Sequence, residues 1–94
     1  MHSYILPVSK AFRAIADPGK AVHMEAYMRN QFPFLGIKTP ERRLICKTHM
    51  KNTPLLTEKE IFIVVKELWK MPEREYQYFG QELIGFHKKA WTKR

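Results

Sequence analysis

The apolar positions along this chain predict five amphipathic helices joined by short loops. Three segments place apolar residues on one helix face: Ile5, Val8, Phe12 and Ile15; Ile61, Val64, Val65 and Leu68; and Tyr76, Phe79, Leu83 and Phe86. The first helix is expected over about residues 4–16, two more over about 18–30 and 40–50, and the last from near residue 72 into a basic tail. No segment alternates with a period of two, so a sheet is not expected. We predict an all-α fold of about five helices in antiparallel pairs.

Local signals predict where three of the helices begin. Asp17 is expected to cap the second helix with Pro18 at its first position, and Thr39 to cap the third helix, followed by Pro40. Residues 57–60 read Thr-Glu-Lys-Glu, a capping box that opens the fourth helix. The apolar run over residues 61–65 could by itself be a strand, but the capping box directly before it predicts a helix.

The connector between the second and third helices is rigid, aromatic and basic. Pro33 and Pro40 each fix φ and remove a backbone donor, and Gly36 permits a turn that other residues would strain. Cations at the positive end of a helix oppose its dipole by up to about 1 kcal/mol each, so a bound anion is expected to compensate them. Three cations surround the predicted start of the third helix: Lys38, Arg42 and Arg43. The two arginines point about 100° apart, so only one is expected to face a ligand squarely.

We predict a single all-helical segment over residues 1–94 of this 94-residue chain. The charge of the chain is concentrated in two blocks. The net charge is +8, and 45% of the residues are apolar, enough for a packed core. Residues 29–56 hold six cations and one acid, and residues 83–94 hold four cations and no acid. This placement suggests a surface for a polyanion, although charge can also serve solubility alone.

Nothing in the chain points to a membrane or to secretion. No apolar run approaches the roughly 20 residues of a membrane span, and no signal peptide is read. The single cysteine cannot form an intrachain disulfide, which fits a reducing compartment. We therefore expect a cytoplasmic protein without a membrane partner.

The residues alone specify no reaction. Cys46 and His49 are three apart on one predicted helix, but no second pair of ligands supports a zinc site. No nucleophile elbow, phosphate loop or dinucleotide fingerprint is present. Glu73 and Glu75 are explained as acids in the first turn of the last helix. We assign no catalytic residue, no metal and no cofactor.

Tyr27 has two interpretations. Its spacing with Met24 and Met28 favours packing in the core, with the hydroxyl at the surface. Its position beside the basic connector would also let it present an aromatic face to a base or a sugar. Spacing alone leaves both open.

Two separated blocks of the chain resemble the HEAT-like DNA alkylation repair glycosylases. The first comprises Tyr27-Met28, Asn30, residues 32–37 and residues 39–43, and the second comprises Leu68-Trp69 and residues 72–77. The match extends over residues 17–89. The resemblance implies an α-solenoid of helical pairs around duplex DNA that excises N3- and N7-alkylated purines without metal or cofactor. It also implies that the lesion stays stacked while a carboxylate stabilises the oxocarbenium charge.

The resemblance also implies roles for individual residues. Tyr27 matches the aromatic residue that lines the lesion cleft, and Lys38 and Thr39 match the connector that approaches the backbone or minor groove. Arg43 matches a residue that contacts phosphate. Lys38 occupies a position at which relatives carry glutamine. The predicted DNA-binding residues are Tyr27, Lys38, Thr39, Arg42 and Arg43. The family's catalytic aspartate and tryptophan pair lie beyond Arg94, so this chain alone is expected to be inactive, and neither Trp69 nor Trp91 inherits those roles.

A solenoid cut after its second pair exposes an apolar face, so self-association is expected through the last helix. The candidate residues are Phe79, Leu83, Phe86 and Trp91. Two other functions stay open: a helical-repeat scaffold that binds an acidic protein, and a bundle whose charge serves only solubility.

Overall fold

A computed structural model describes residues 2–92 of the chain, with only the backbone at residues 91 and 92. These residues form five α-helices: α1 (Leu6–Ile15), α2 (Pro18–Tyr27), α3 (Thr39–Asn52), α4 (Glu58–Lys70) and α5 (Arg74–Thr92). The predicted all-α class and the number of helices are confirmed.

Helix α5 is central to the packing. It contacts α3 and α4, and α1 packs against α3. Helices α4 and α5 are antiparallel, because Trp69 near the end of α4 meets Gly80 early in α5, whereas the amide of Leu56, just before α4, donates to His87 Nε2 further along α5 at 3.0 Å. The molecule is elongated, with extents of 43 × 24 × 21 Å.

One apolar cluster contains most positions of the three predicted apolar faces. Val65 and Phe86 pack at its edge, and Ile15, which was expected inside, is exposed because α1 ends at this residue. Nine positions of these faces are buried, including two that were also expected at an uncovered surface, Phe79 and Leu83; the other seven are Ile5, Val8, Phe12, Ile61, Val64, Leu68 and Tyr76.

Two of the three predicted helix starts are confirmed. The Asp17 carboxylate accepts hydrogen bonds from the amides of Gly19 and Lys20, and both bonds of the Thr57–Glu60 capping box are present. The third prediction is wrong, because Lys38 caps α3 and Thr39 is already its first residue. The Lys38 carbonyl accepts from the Arg42 amide at 3.0 Å, while the Thr39 side chain turns into a surface groove.

Helix α2 is shorter than its apolar pattern suggested. Arg29 and Asn30 adopt left-handed φ values of 56° and 57°, which end the helix at Tyr27. The Asn30 amide returns to the Glu25 carbonyl at 2.7 Å and closes the turn. The chain therefore enters the connector three residues earlier than predicted.

The expected apolar surface on α5 is a further correction. Phe79 and Leu83 are fully buried, because α5 turns this stripe into the core shared with the other helices. Phe86 is partly buried, and the Trp91 side chain lies outside the described residues. Large exposed apolar side chains occur on α4 instead, where Phe62 is 69% and Trp69 48% exposed.

Within residues 2–92, no helix has both the length and the hydropathy needed to cross a membrane.

Candidate nucleic-acid interface

The buried carboxylate of Glu75 fixes the connector between α2 and α3. It lies in the first turn of α5 and accepts hydrogen bonds from three successive backbone amides, those of Leu35 (2.9 Å), Gly36 (3.0 Å) and Ile37 (3.3 Å). Charge-assisted bonds of this kind are among the stronger ones in proteins. The connector is therefore held to the middle of the fold although it has no regular structure.

Helix α2 holds the other side of the connector. The Glu25 carboxylate accepts from the Phe34 amide at 2.9 Å, and the Asp17 amide donates to the Leu35 carbonyl at 2.9 Å. Gly36 lies so close to α2 that an added Cβ would stand 1.9 Å from the Asp17 carbonyl oxygen. Residues 34–37 of the connector are thus set in place relative to α2 and α5.

A surface groove of about 360 Å³ lies where α2 ends and α3 begins. Tyr27 is 88% exposed at this groove, so the core-packing interpretation of Tyr27 is wrong; the left-handed turn at residues 29 and 30 ends the helix just after it. Met24 and Met28 are partly buried beside it. The groove is lined by His23, Met24, Tyr27, Met28, Phe34, Thr39 and Tyr78.

The two adjacent arginines of α3 have different environments, as their angular separation predicted. Arg42 is buried, forms an ion pair with Glu82 of α5 and lies 4.9 Å from the centroid of the Tyr78 ring. The Arg43 side chain is 69% exposed, with its Nε 3.9 Å from Glu82 Oε1. Glu82 therefore neutralises Arg42 inside the fold and leaves Arg43 open to solvent.

The remaining candidates lie at the start of α3. Lys38 is exposed at the N-cap, and Thr39 and Arg43 are four residues apart on one face of the helix. Thr39 shares the groove with Tyr27. The structure thus brings Tyr27 and Thr39 together, extends their surface along α3 to Arg43, and places Arg42 below that surface.

Sequence analysis missed the part of this site that α5 supplies. The Arg74 guanidinium lies 4.3 Å from the Phe32 ring centroid and 5.3 Å from that of Tyr78, which ties the connector to α5. Arg74, Tyr78 and Glu82 are spaced four residues apart on the face of α5 that meets α3 and the connector. The four-residue spacing of this polar stripe is present in the sequence and could have indicated that the three side chains share one face of α5.

Cys46 and His49, the weak candidates for metal ligands, both lie on α3, where Cys46 is buried and His49 is partly buried. Burial raises the pKa of the Cys46 thiol to about 12 and lowers the pKa of His49. Cys46 is therefore a protonated core thiol at neutral pH. Within residues 2–92 no group of three or more histidine, cysteine or acidic side chains is arranged to hold a metal ion.

Comparison with known proteins places this geometry in a family. A search of the curated proteins finds no match. A family model described as DNA alkylation repair enzyme matches residues 8–94, which is nearly the whole chain. The chain therefore belongs to the DNA alkylation repair enzyme family, and this membership indicates a role in the repair of alkylated DNA.

Proposed function

We propose that this chain is the DNA-binding N-terminal portion of a glycosylase that excises N3- and N7-alkylated purines, and that it carries no catalytic group of its own. The observation that carries the proposal is the connector, which Glu75 and Glu25 hold so that an exposed Tyr27 borders the start of α3. Family membership supports DNA as the substrate.

Electrostatics favours a phosphate backbone at this surface. The first amides of α3 lack helical partners and point outward, so the helix start attracts an anion. Lys38 and Arg43 add solvent-exposed positive charge at that end, whereas the charge of the buried Arg42 is balanced by Glu82. We therefore assign phosphate contacts to Lys38, Thr39 and Arg43 and a structural role to Arg42.

Tyr27 supplies the aromatic part of the interface. Its ring is exposed at the groove that Thr39 and Tyr78 also line, so a sugar or base can lie against it while the adjoining phosphates meet α3. An alkylated purine is a cation, and aromatic faces attract cations by about 0.5–2 kcal/mol. We expect Tyr27 to favour alkylated over unmodified duplexes.

The salt dependence of duplex binding tests the proposal. Each neutralised phosphate contributes about −0.9 to the slope of log K against log salt. The Lys38→Ala/Arg43→Ala variant should therefore flatten this slope by about 1.8. The matched control is Lys59→Ala/Lys70→Ala, which removes the same charge from exposed positions of α4. An equal change of slope in both variants would contradict the assigned interface.

Two further measurements separate the parts of the proposal. Tyr27→Ala should reduce the preference for a methylated duplex by a few-fold and leave the salt slope unchanged. Incubation with methylated DNA should release no free base, and release would show that the chain is catalytic by itself. Binding to an acidic peptide without duplex affinity at low salt would favour the scaffold function instead.

A further inference from the structure

Helix α4 carries an apolar patch that the proposed function does not use. Phe62, Val65 and Trp69 of α4, together with Ile84 of α5, line a groove of about 570 Å³. Phe62 and Trp69 are large side chains left about half or more exposed. Exposed aromatic residues grouped in this way usually mark an interaction surface.

This patch faces away from the proposed DNA interface. Tyr78 and Glu82 of α5 contact Arg42, whereas Gly80 and Ile84 lie beside α4. Positions two residues apart on a helix differ by about 200°, so these two pairs point in nearly opposite directions. A partner on the patch would therefore leave the connector accessible.

The charges along the patch are self-complementary. Glu58, Phe62 and Lys66 follow one another at four-residue spacing on the groove face of α4. Glu58 and Lys66 are therefore equally far from Phe62, on opposite sides of it. If a second α4 is laid antiparallel with Phe62 at the centre, Glu58 of each copy faces Lys66 of the other.

We propose that two copies of this chain associate through α4, with a two-fold axis at Phe62 and reciprocal Glu58–Lys66 pairs. Such an interface is isologous, because the same residues of both copies meet each other. Antiparallel helices also place opposite dipole ends together. Helix α4 holds three cations and three acids, so the copies meet on a locally neutral element, away from the two basic blocks of the chain.

The expected dimer is weak. Phe62 and Trp69 together leave about 200 Å² of aromatic surface exposed per copy, given the 150–250 Å² of each such side chain. Stable interfaces bury roughly 800 Å² per partner, so the two aromatic side chains alone supply much less than a stable dimer needs. We expect dissociation constants of the order of 10–100 µM.

Sedimentation equilibrium with charge-swapped variants tests both the dimer and its register. Glu58→Lys and Lys66→Glu should each weaken the dimer at least about five-fold, because each creates two like-charge contacts across the axis. The Glu58→Lys/Lys66→Glu variant restores opposite charges and should recover the affinity of the original chain. Lys10→Glu is the matched control, because it makes the same charge change at an exposed position of α1, outside the groove, and it should leave the affinity unchanged.

A monomer at about 500 µM would overturn the proposal, as would failure of the double variant to recover while its helical circular dichroism is intact. Phe62→Ser should give a monomer that still binds DNA with the original salt slope. Sedimentation thus tests the dimer and the salt slope tests DNA binding, so either proposal can be contradicted while the other stands.

Discussion

At the scale of single residues, Gly36 shows how closely the connector approaches α2. Its φ is +89°, and an added Cβ would stand 1.9 Å from the Asp17 carbonyl oxygen and 2.9 Å from the Ala21 amide nitrogen. Both neighbours are backbone atoms of the first turn of α2, so they cannot rotate away as a side chain would. Only glycine combines this φ with this contact.

We therefore expect Gly36→Ala to lower the free energy of unfolding by about 2–4 kcal/mol, from the strained φ together with the clash. Urea denaturation monitored by helical circular dichroism measures the change. Gly85→Ala is the matched control, because Gly85 is helical and a Cβ there would meet nothing within 4 Å. That variant should gain up to about 1 kcal/mol from helix propensity. Similar effects at both positions would contradict the close approach at Gly36.

At the scale of the elements, Glu75 joins α5 to the connector. Its carboxylate is buried and accepts hydrogen bonds from three backbone amides. An amide side chain would turn an NH₂ group toward at least one of these donors. The connector would then lose hydrogen bonds inside the protein, where water cannot replace them.

Glu75→Gln should therefore cost about 2–4 kcal/mol in the free energy of unfolding. Glu73→Gln removes the same charge two residues earlier, beside the start of α5. Glu73 is a matched control because the connector amides donate to Glu75 and not to Glu73. It should cost no more than about 1 kcal/mol, from the helix dipole. The comparison is made by urea denaturation at pH 7, and equal losses would show that Glu75 acts through the dipole alone.

These elements also show what a sequence can predict. The starts of α2 and α4 were predicted correctly because Asp17 and Thr57 bond to amides within three residues. Glu75 was interpreted by the same local rule, but its partners lie about 40 residues earlier in the chain. The angular separation of Arg42 and Arg43 was predictable from helix geometry, whereas the counter-ion Glu82, from another helix, was not.

At the scale of the whole molecule, the sequence identified the apolar stripe of α5 but not what covers it. Phe79 and Leu83 were expected at the surface because a helical array ends with an uncovered face. They are buried because α5 directs this stripe into the cluster that contains Tyr4, Val64 and Leu68. The uncovered face lies on α4, where apolar residues occupy two sides of the helix, and periodicity does not show which side meets the core.

Stability of the whole fold should decrease as the pH falls below neutrality, because of one partly buried histidine. His49 packs between Tyr4 and Phe79, with ring centroids 4.5 and 6.3 Å away, and within residues 2–92 its Nε2 has no hydrogen-bond partner. Desolvation lowers the pKa of His49 below its ordinary 6.5, against a smaller opposing effect of the Tyr4 backbone. As the pH falls below 6.5, His49 therefore becomes protonated in the unfolded chain while it stays neutral in the folded chain.

The free energy of unfolding should accordingly fall between pH 7.5 and 5.5, with a slope from this group of at most about 1.4 kcal/mol per pH unit. His49→Phe keeps the aromatic contacts and removes the proton, so its stability should depend less on pH over this interval. Stopping at pH 5.5 keeps Glu60 ionised, because hydrogen bonds from Thr57 lower the pKa of Glu60 below 4.5. His23→Gln, at an exposed position, is the control and should retain the original slope. If His49→Phe retains that slope too, the acid sensitivity arises elsewhere and His49 is protonated within the folded protein.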